Sequence, residues 1–230
     1  MFTLKEKITH IQEKIRQAAV SCGRDPETIR LVAVTKTVST EGIRQAIDEG
    51  LRIFGESYIQ EAATKIDALA GKEVSWHFIG HLQSNKAKFA VRCFDLIHSV
   101  DSLGLAEALN RQAERIHKVQ NILVQVNISG ESTKSGTAIQ EAIALVNAIR
   151  WMENLSVTGL MTIPPFFDHP EKARLYFKAL ANLKDQIQKQ SIPENEMTEL
   201  SMGMTGDFEV AIAEGATLVR IGTAIFGERP

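Results

Sequence analysis

Eight short apolar segments, each followed by a helix-start signal, recur along the 230 residues of this chain. They read LVAVT from residue 31, RIFG from 52, SWHFIG from 75, DLIHSV from 95, NILVQVNIS from 121, SVTGLMTI from 156, TELSM from 198 and TLVRIG from 217. Runs apolar enough to be buried on both faces are the mark of parallel strands covered by helices. The stretches between them carry helix caps. Ser57 with Gln60 and Thr137 with Gln140 have capping-box spacing, Asp101 and Asp207 are N-cap candidates, and Asp168, Pro170 and Glu171 open another helix. Further helices are expected from about Thr40 to Gly50 and from about Ser84. Apolar stripes at helical spacing run through Leu105 and Leu109, through Ile139, Ile143 and Val146, and through Leu175, Leu180, Leu183 and Ile187. An extra N-terminal helix precedes the first strand, boxed by Thr3 and Glu6, with Leu4, Ile8, Ile11 and Ile15 on one face. Eight β/α units close a (β/α)8 TIM barrel, an α/β fold expected here as one domain over residues 1–230. A doubly wound open sheet often carries a glycine-rich fingerprint after its first strand. The stretch TKTVSTEG after LVAVT is not one.

Bulk properties narrow the function classes. The chain is 44% hydrophobic and 23% charged, with a net charge of -2, so no broad basic footprint for nucleic acid exists. The opening MFTLKEKITH lacks the apolar core of a secretory signal, and no run approaches a membrane span. Cys22 and Cys93 form neither a metal-binding nor a redox motif. A cytoplasmic protein, with no nucleic-acid or membrane partner, is the expectation.

In barrels of this kind the chemistry gathers at the C-terminal ends of the strands. Read off there, the chain offers Lys36, Gly55 with Glu56, His77 to His81, Asn127, Met161 with Thr162, Ser201 to Gly203, and Arg220 to Thr223. Lys36 stands out because an otherwise apolar strand ends on it, and an ammonium in a dry place is costly. Either it reaches water or its amine is meant to react. Ser201, Met202, Gly203, Thr205 and Gly206 crowd after the seventh segment, and Gly222 and Thr223 follow the eighth. Loops after strands seven and eight are a frequent phosphate site in barrels, through backbone N–H groups and hydroxyls. A lysine beside a phosphate cradle suggests pyridoxal 5'-phosphate, whose aldehyde forms a Schiff base with an amine. A sugar-phosphate aldolase would use a barrel lysine too. His77 and His81 do not share a helical face, and no cysteine or HExxH pattern lies near, so no metal site is expected. Lys86 and Lys88 read as a solvated helix face.

The segments VAVTKT, FGESYIQEA, WHFIGHLQSNK, VQVNIS, STKSG, GLMTI and LSMGMTGDFEVAIAEGATLVRIGTAIFG together resemble the pyridoxal-phosphate homeostasis protein family, also called proline synthase co-transcribed proteins. The resemblance runs from about Leu31 to the C-terminus. It implies a barrel similar to the N-terminal domain of alanine racemases, with Lys36 as the Schiff-base lysine. It places Arg220 at the pyridine nitrogen and the phosphate cradle on Ser201, Met202, Gly203, Gly222 and Thr223. Ser57, His77 and Asn127 are further candidate cofactor contacts, although the family usually shows asparagine where Ser57 stands. The implied function is to bind and buffer intracellular pyridoxal 5'-phosphate as a monomer, with cofactor-dependent apo-enzymes as recipients and no catalytic residues. The alternative is a weak amino-acid racemase. Such an enzyme needs a second acid–base group, which racemases take from a C-terminal β domain that this chain is not expected to contain. His77 and Tyr58 are the side chains left open for that role.

Overall fold

The computed structural model describes residues 2–131, 133–190 and 197–228; Ser132 of the STKSG stretch lies outside them. All eight apolar segments are strands: β1 (Arg30–Val34), β2 (Ile53–Glu56), β3 (Ser75–Phe78), β4 (Leu96–Val100), β5 (Gln120–Asn127), β6 (Leu155–Met161), β7 (Glu199–Ser201) and β8 (Leu218–Ile221). Every pairing is parallel. Neighbours follow chain order, β1 pairs with β8, and β4 with β5, so the sheet closes on itself. The result is the (β/α)8 barrel that the alternation predicts. A two-residue strand at Thr137–Ala138, not foreseen, adds to the end of β5 beside Val126 and Asn127.

Closure sorts the side chains by the period of two that any strand imposes. Val32, Ile53, Leu96, Leu123, Met161 and Leu218 meet inside the barrel as their own cluster. Their neighbours Ala33, Phe54, Ile97 and Val219 point outward into the larger core beneath the helices. That outer core is formed by buried stripes on α1 (Leu4–Ser21), α2 (Thr40–Asp48), α3 (Ile59–Ala68), α4 (Ala87–Cys93), α5 (Leu103–Glu114), α6 (Ile139–Ile149), α7 (Arg174–Gln190) and α8 (Phe208–Ala213). A last turn, α9 (Thr223–Phe226), follows β8. Helix α1 begins at the expected capping box and buries Ile8, Ile11, Ile15 and Ala19, packing on α8 and α9.

Several helix starts differ from the sequence expectation by a residue or more. Helix α2, by contrast, starts at Thr40 as expected, capped by Ser39. Helix α3 has Tyr58 at its N-cap, and Ser57 lies before it; the first-turn carboxylate of Glu61 bonds to the Thr37 N–H across the loop instead. Ser102 rather than Asp101 precedes α5, and α6 starts after Ala138 because Thr137 and Ala138 have both joined the sheet. Asp168 does not cap; a 3-10 turn over Pro170–Ala173 leads into α7. On α7 the buried stripe is Phe177, Leu180, Leu183 and Ile187, and Leu175 faces solvent. Among the described residues no helix is long and apolar enough to cross a membrane.

Gly159 shows how tightly the barrel is drawn. It sits in β6 beside Glu199 of β7, and a Cβ there would overlap the Glu199 carbonyl group. That neighbour is backbone and cannot swing aside. Gly159→Ala should therefore destabilise the fold by about 1–3 kcal/mol, the usual cost of overpacking, visible as a lower urea midpoint.

Candidate functional site

Parity along β1 continues past its last hydrogen-bonded residue. Val32 faces the barrel interior, and Val34 and Lys36 follow it at intervals of two into a cavity at the C-terminal mouth. On β8 the same rule turns Arg220 inward, opposite Val32, with Gly222 above it beside Val34. The cavity has a volume of about 810 Å³, and its wall includes Lys36, Lys134, Asp207, Arg220, Gly222 and Thr223. Its outer rim carries Ile163, Phe166 and Met204, all exposed. One mouth thus brings together lysine amines, a guanidinium, carboxylates and hydroxyls.

Below the cavity floor the barrel core turns polar. Arg220 Nη1 donates to Ser201 Oγ at 2.5 Å and Nη2 to the Thr162 carbonyl at 2.9 Å. Ser201 Oγ is 2.8 Å from His98 Nδ1, and His98 Nε2 is 3.0 Å from His77 Nδ1. All four side chains are buried. Arginine can only donate, so Ser201 accepts from it and keeps its own proton for His98 Nδ1. His98 then carries its proton on Nε2, facing His77, and the Ser201 hydroxyl proton is paired. Burial holds both imidazoles neutral: the pKa of His77 falls to about 3, and that of His98 lies well below the ordinary value. Burial also lowers Arg220 to about 10, offset in part by Asp207, which leaves the guanidinium charged at neutral pH.

The two glycine-rich loops are joined at the backbone. The Arg220 N–H donates to the Gly203 carbonyl at 3.0 Å, and the Met202 N–H to the Leu218 carbonyl at 3.1 Å. Gly203 has φ +90, and a Cβ there would come within 2.6 Å of Ala211 Cβ and 2.9 Å of Phe208 Cα. Only glycine lets this turn lie against α8. Asp207 precedes α8 as expected, but its Oδ1 accepts from the Met204 N–H at 2.6 Å, closing the loop rather than capping the helix.

Of the residues singled out in the sequence, Lys36, Arg220, Gly222 and Thr223 share the cavity wall. Ser201 and His77 sit beneath it in the polar chain, and Met202 and Gly203 form the buried turn behind it. Ser57 packs its backbone against Gly80, where a Cβ would clash with the Ser57 carbonyl. Asn127 is fully occupied in its own loop: Nδ2 donates to the Glu131 and Lys134 carbonyls, and Oδ1 accepts from Ser129 Oγ and the Gly130 N–H. The loop it bonds within brings Lys134, ion-paired with Glu131 at 3.2 Å, to the cavity. His81 is apart from His77, its Nδ1 3.4 Å from Ser135 Oγ. Among the described residues no three His, Cys, Asp or Glu side chains are grouped to hold a metal ion. Sequence reasoning missed His98, although a polar residue two positions after inward Leu96 in LIHSV carried the signal. It also missed Lys134, whose approach depends on a loop.

These features agree with what comparison with known proteins shows. The model of the alanine racemase N-terminal domain family matches residues 7–230. The pyridoxal phosphate homeostasis protein of Aquifex aeolicus is 42% identical over 224 residues, covering 97% of each chain. The structure of PipY from Synechococcus elongatus, solved with PLP bound, superposes with a TM-score of 0.82 at 36% identity, covering 93% of this chain and 99% of that one. An alanine racemase from Clostridium difficile shares the fold at a TM-score of 0.72 and 15% identity, and this chain covers 60% of it. The chain belongs to the alanine racemase N-terminal domain family and, within it, to the pyridoxal phosphate homeostasis proteins.

The neutral histidine pair has a consequence for stability. Unfolded, each imidazole takes up a proton below about pH 6.5; folded, neither does until the solution is far more acidic. The unfolded chain therefore binds more protons in that window, and stability rises with pH through it. Lowering the pH from about 7.5 to about 5, above most carboxylate titrations, should lower the urea midpoint. His77→Gln should remove roughly half of that drop, since it removes one of two such groups.

Proposed function

We propose that this protein binds pyridoxal 5'-phosphate, held through the Lys36 amine as a Schiff base, and serves as a buffer and supplier of that cofactor. The observation that carries the reading is the convergence of Lys36 and Arg220, on adjacent strands, into one cavity rimmed by Gly222 and Thr223. The cavity suits the group. Its volume is within the range of cofactor sites, ~300–1,000 Å³. A Cβ at Gly222 would stand 3.2 Å from both the Val34 Cβ and the Val34 carbonyl oxygen, so a larger residue there would crowd the space next to Lys36. When bound, the cofactor supplies an aldehyde that condenses reversibly with a primary amine.

The rest of the work belongs to the chain. Thr223 and the first N–H groups of α9, which lack intrahelical acceptors, hold the phosphate together with Gly222 and the turn at Met202 and Gly203. Arg220, fixed by Ser201 and Thr162, donates to the pyridine nitrogen and cannot accept a proton from it. Ser201 and His77 act from below by fixing that guanidinium, and Asn127 by shaping the loop of Lys134. Ser57 borders the mouth after β2. We read the protein as a single-domain monomer of the cytoplasm that supplies cofactor-dependent apo-enzymes and is not itself an efficient catalyst. The two side chains left open for a second acid–base group support this. His77 is neutral and bonded to His98, and Tyr58 is exposed at the start of α3.

Borohydride treatment of the cofactor-loaded protein should fix the label on the peptide containing Lys36, and Lys36→Ala should abolish it. A Lys36→Ala protein that still carries an equally stable covalent label would refute the assignment. Thr223→Val should weaken cofactor binding by about 1.5–3 kcal/mol in an equilibrium titration, the range for a hydrogen bond to a charged group. Pyridoxal without phosphate should bind far more weakly than the phosphorylated form. Steady interconversion of L- and D-alanine at an ordinary enzyme rate of ~1–10³ s⁻¹ would overturn the carrier reading in favour of a racemase.

A further inference from the structure

Behind Lys36, on the outer face of the barrel, lies a buried charged cluster that the binding site does not use. Thr35 points outward by strand parity, as does Glu56 at the end of β2. Lys65 of α3 reaches in between them and is buried. All three of its protons are placed: Nζ lies 2.8 Å from Glu56 Oε1, 2.6 Å from Glu61 Oε1 and 2.6 Å from the Thr35 carbonyl oxygen. Thr35 Oγ1 also donates to Glu56 Oε1 at 2.7 Å. Glu61 Oε1, in turn, accepts from the Thr37 N–H at 2.6 Å. Glu56 Oε2 is buried with no partner.

The consequence is geometric. The peptide before Lys36 is gripped through its carbonyl by Lys65, and the peptide after it through its N–H by Glu61. Both gripping side chains stand on α3, four residues apart, and bond to each other. Thr37 meanwhile has φ +67, a left-handed backbone that a β-branched residue adopts only when its surroundings impose it. Apolar packing would have been enough to cover Thr35. A largely buried ion cluster is a costly way to do so, and two of its bonds fall on the two peptides that flank one side chain.

We propose that Lys65 and Glu61, with Glu56 as the buried counter-charge, are positioning residues for Lys36, setting where its amine stands in the cavity and hence how readily it captures an aldehyde. This rests on the reading of Lys36 as the cofactor-binding amine. None of the triad's own side chains lines the cavity: Glu61 reaches its wall only through the backbone N–H of Thr37, and none of the three bonds to the phosphate loops. Its loss should therefore slow covalent capture without weakening non-covalent binding in the same measure.

The experiment compares the unaltered protein with Glu61→Ala, Glu61→Gln and Lys65→Met. Glu61→Ala is the variant least exposed to misfolding, because Glu61 lies at the protein edge of α3. Three readouts are taken on protein shown to be folded by circular dichroism. Competitive acetylation without any cofactor, read peptide by peptide by mass spectrometry, gives the reactivity of Lys36 against the other lysines. Stopped-flow absorbance gives the rate of capture of pyridoxal 5'-phosphate. Equilibrium titration with pyridoxine 5'-phosphate, which has an alcohol in place of the aldehyde, gives non-covalent affinity alone. Glu61→Ala and Lys65→Met should lower both Lys36 acetylation and the capture rate by about ten-fold, the effect of losing one bond to a charged group that orients a reacting atom. Pyridoxine 5'-phosphate affinity should stay within about two-fold, and Glu61→Gln, whose amide oxygen still accepts from Thr37, should recover most of the rate. Unchanged Lys36 reactivity in Glu61→Ala, or equal losses for both ligands, would overturn the proposal. If the unaltered protein gave no borohydride-fixed label on Lys36 while its acetylation still responded to Glu61→Ala, the cofactor reading would fall and the positioning role would stand.

Discussion

Closure of the parallel sheet is the constraint from which the site follows. Once eight strands form a ring, every second side chain must enter a space with no solvent of its own. In the lower barrel that space is filled by Val32, Ile53, Leu96, Leu123, Met161 and Leu218. At the upper end the same inward positions carry His77, His98, Ser201 and Arg220, and above them Lys36 and Gly222. The change from apolar to polar along one axis separates the part of the barrel that holds the fold together from the part that can hold a ligand.

A cationic arginine in a protein interior is tolerable only where its donors are matched. Arg220 meets this with the Ser201 hydroxyl and the Thr162 carbonyl, and Asp207 contributes a favourable field from the loop above. The two histidines extend the chain across the barrel and remain neutral, so they fix direction without adding charge beside the guanidinium. Such a network is rigid because each member is the partner that satisfies the next. The floor of the cavity is thereby a fixed polar network.

The outer face of the same strands has its own polar cluster, built on the opposite parity. Thr35 and Glu56 look away from the cavity, yet on α3 Lys65, paired with Glu56, holds the Thr35 carbonyl before Lys36 and Glu61 holds the Thr37 N–H after it. Burial raises the pKa of Glu56, and the bonds from Lys65 and Thr35 act against that rise. Strand ends in a barrel are thus controlled from two sides, by the cavity within and by a helix without.

The sequence by itself determined the architecture and the main chemistry of the mouth. Eight apolar runs of strand length, punctuated by helix caps, leave few folds other than a barrel, and parity then decides that Lys36, Arg220 and Gly222 face one way. These are local properties, because strand period and turn chemistry act over a few residues. Helix starts at Ser57, Asp101 and Thr137 were legible only to within a residue or two, since a cap signal competes with whatever else can bond to the same groups. The short pairing of Thr137–Ala138 on β5 won one of those competitions. What only the tertiary structure decided are the long-range partnerships: His98 with Ser201 across the barrel, Lys65 with Thr35 and Glu56, and Lys134 carried to the cavity by a loop that Asn127 folds. The first two join residues far apart in the chain, and the third sets a local loop against a distant wall; no local pattern encodes such a meeting, which is set when the ring closes and the helices pack against it.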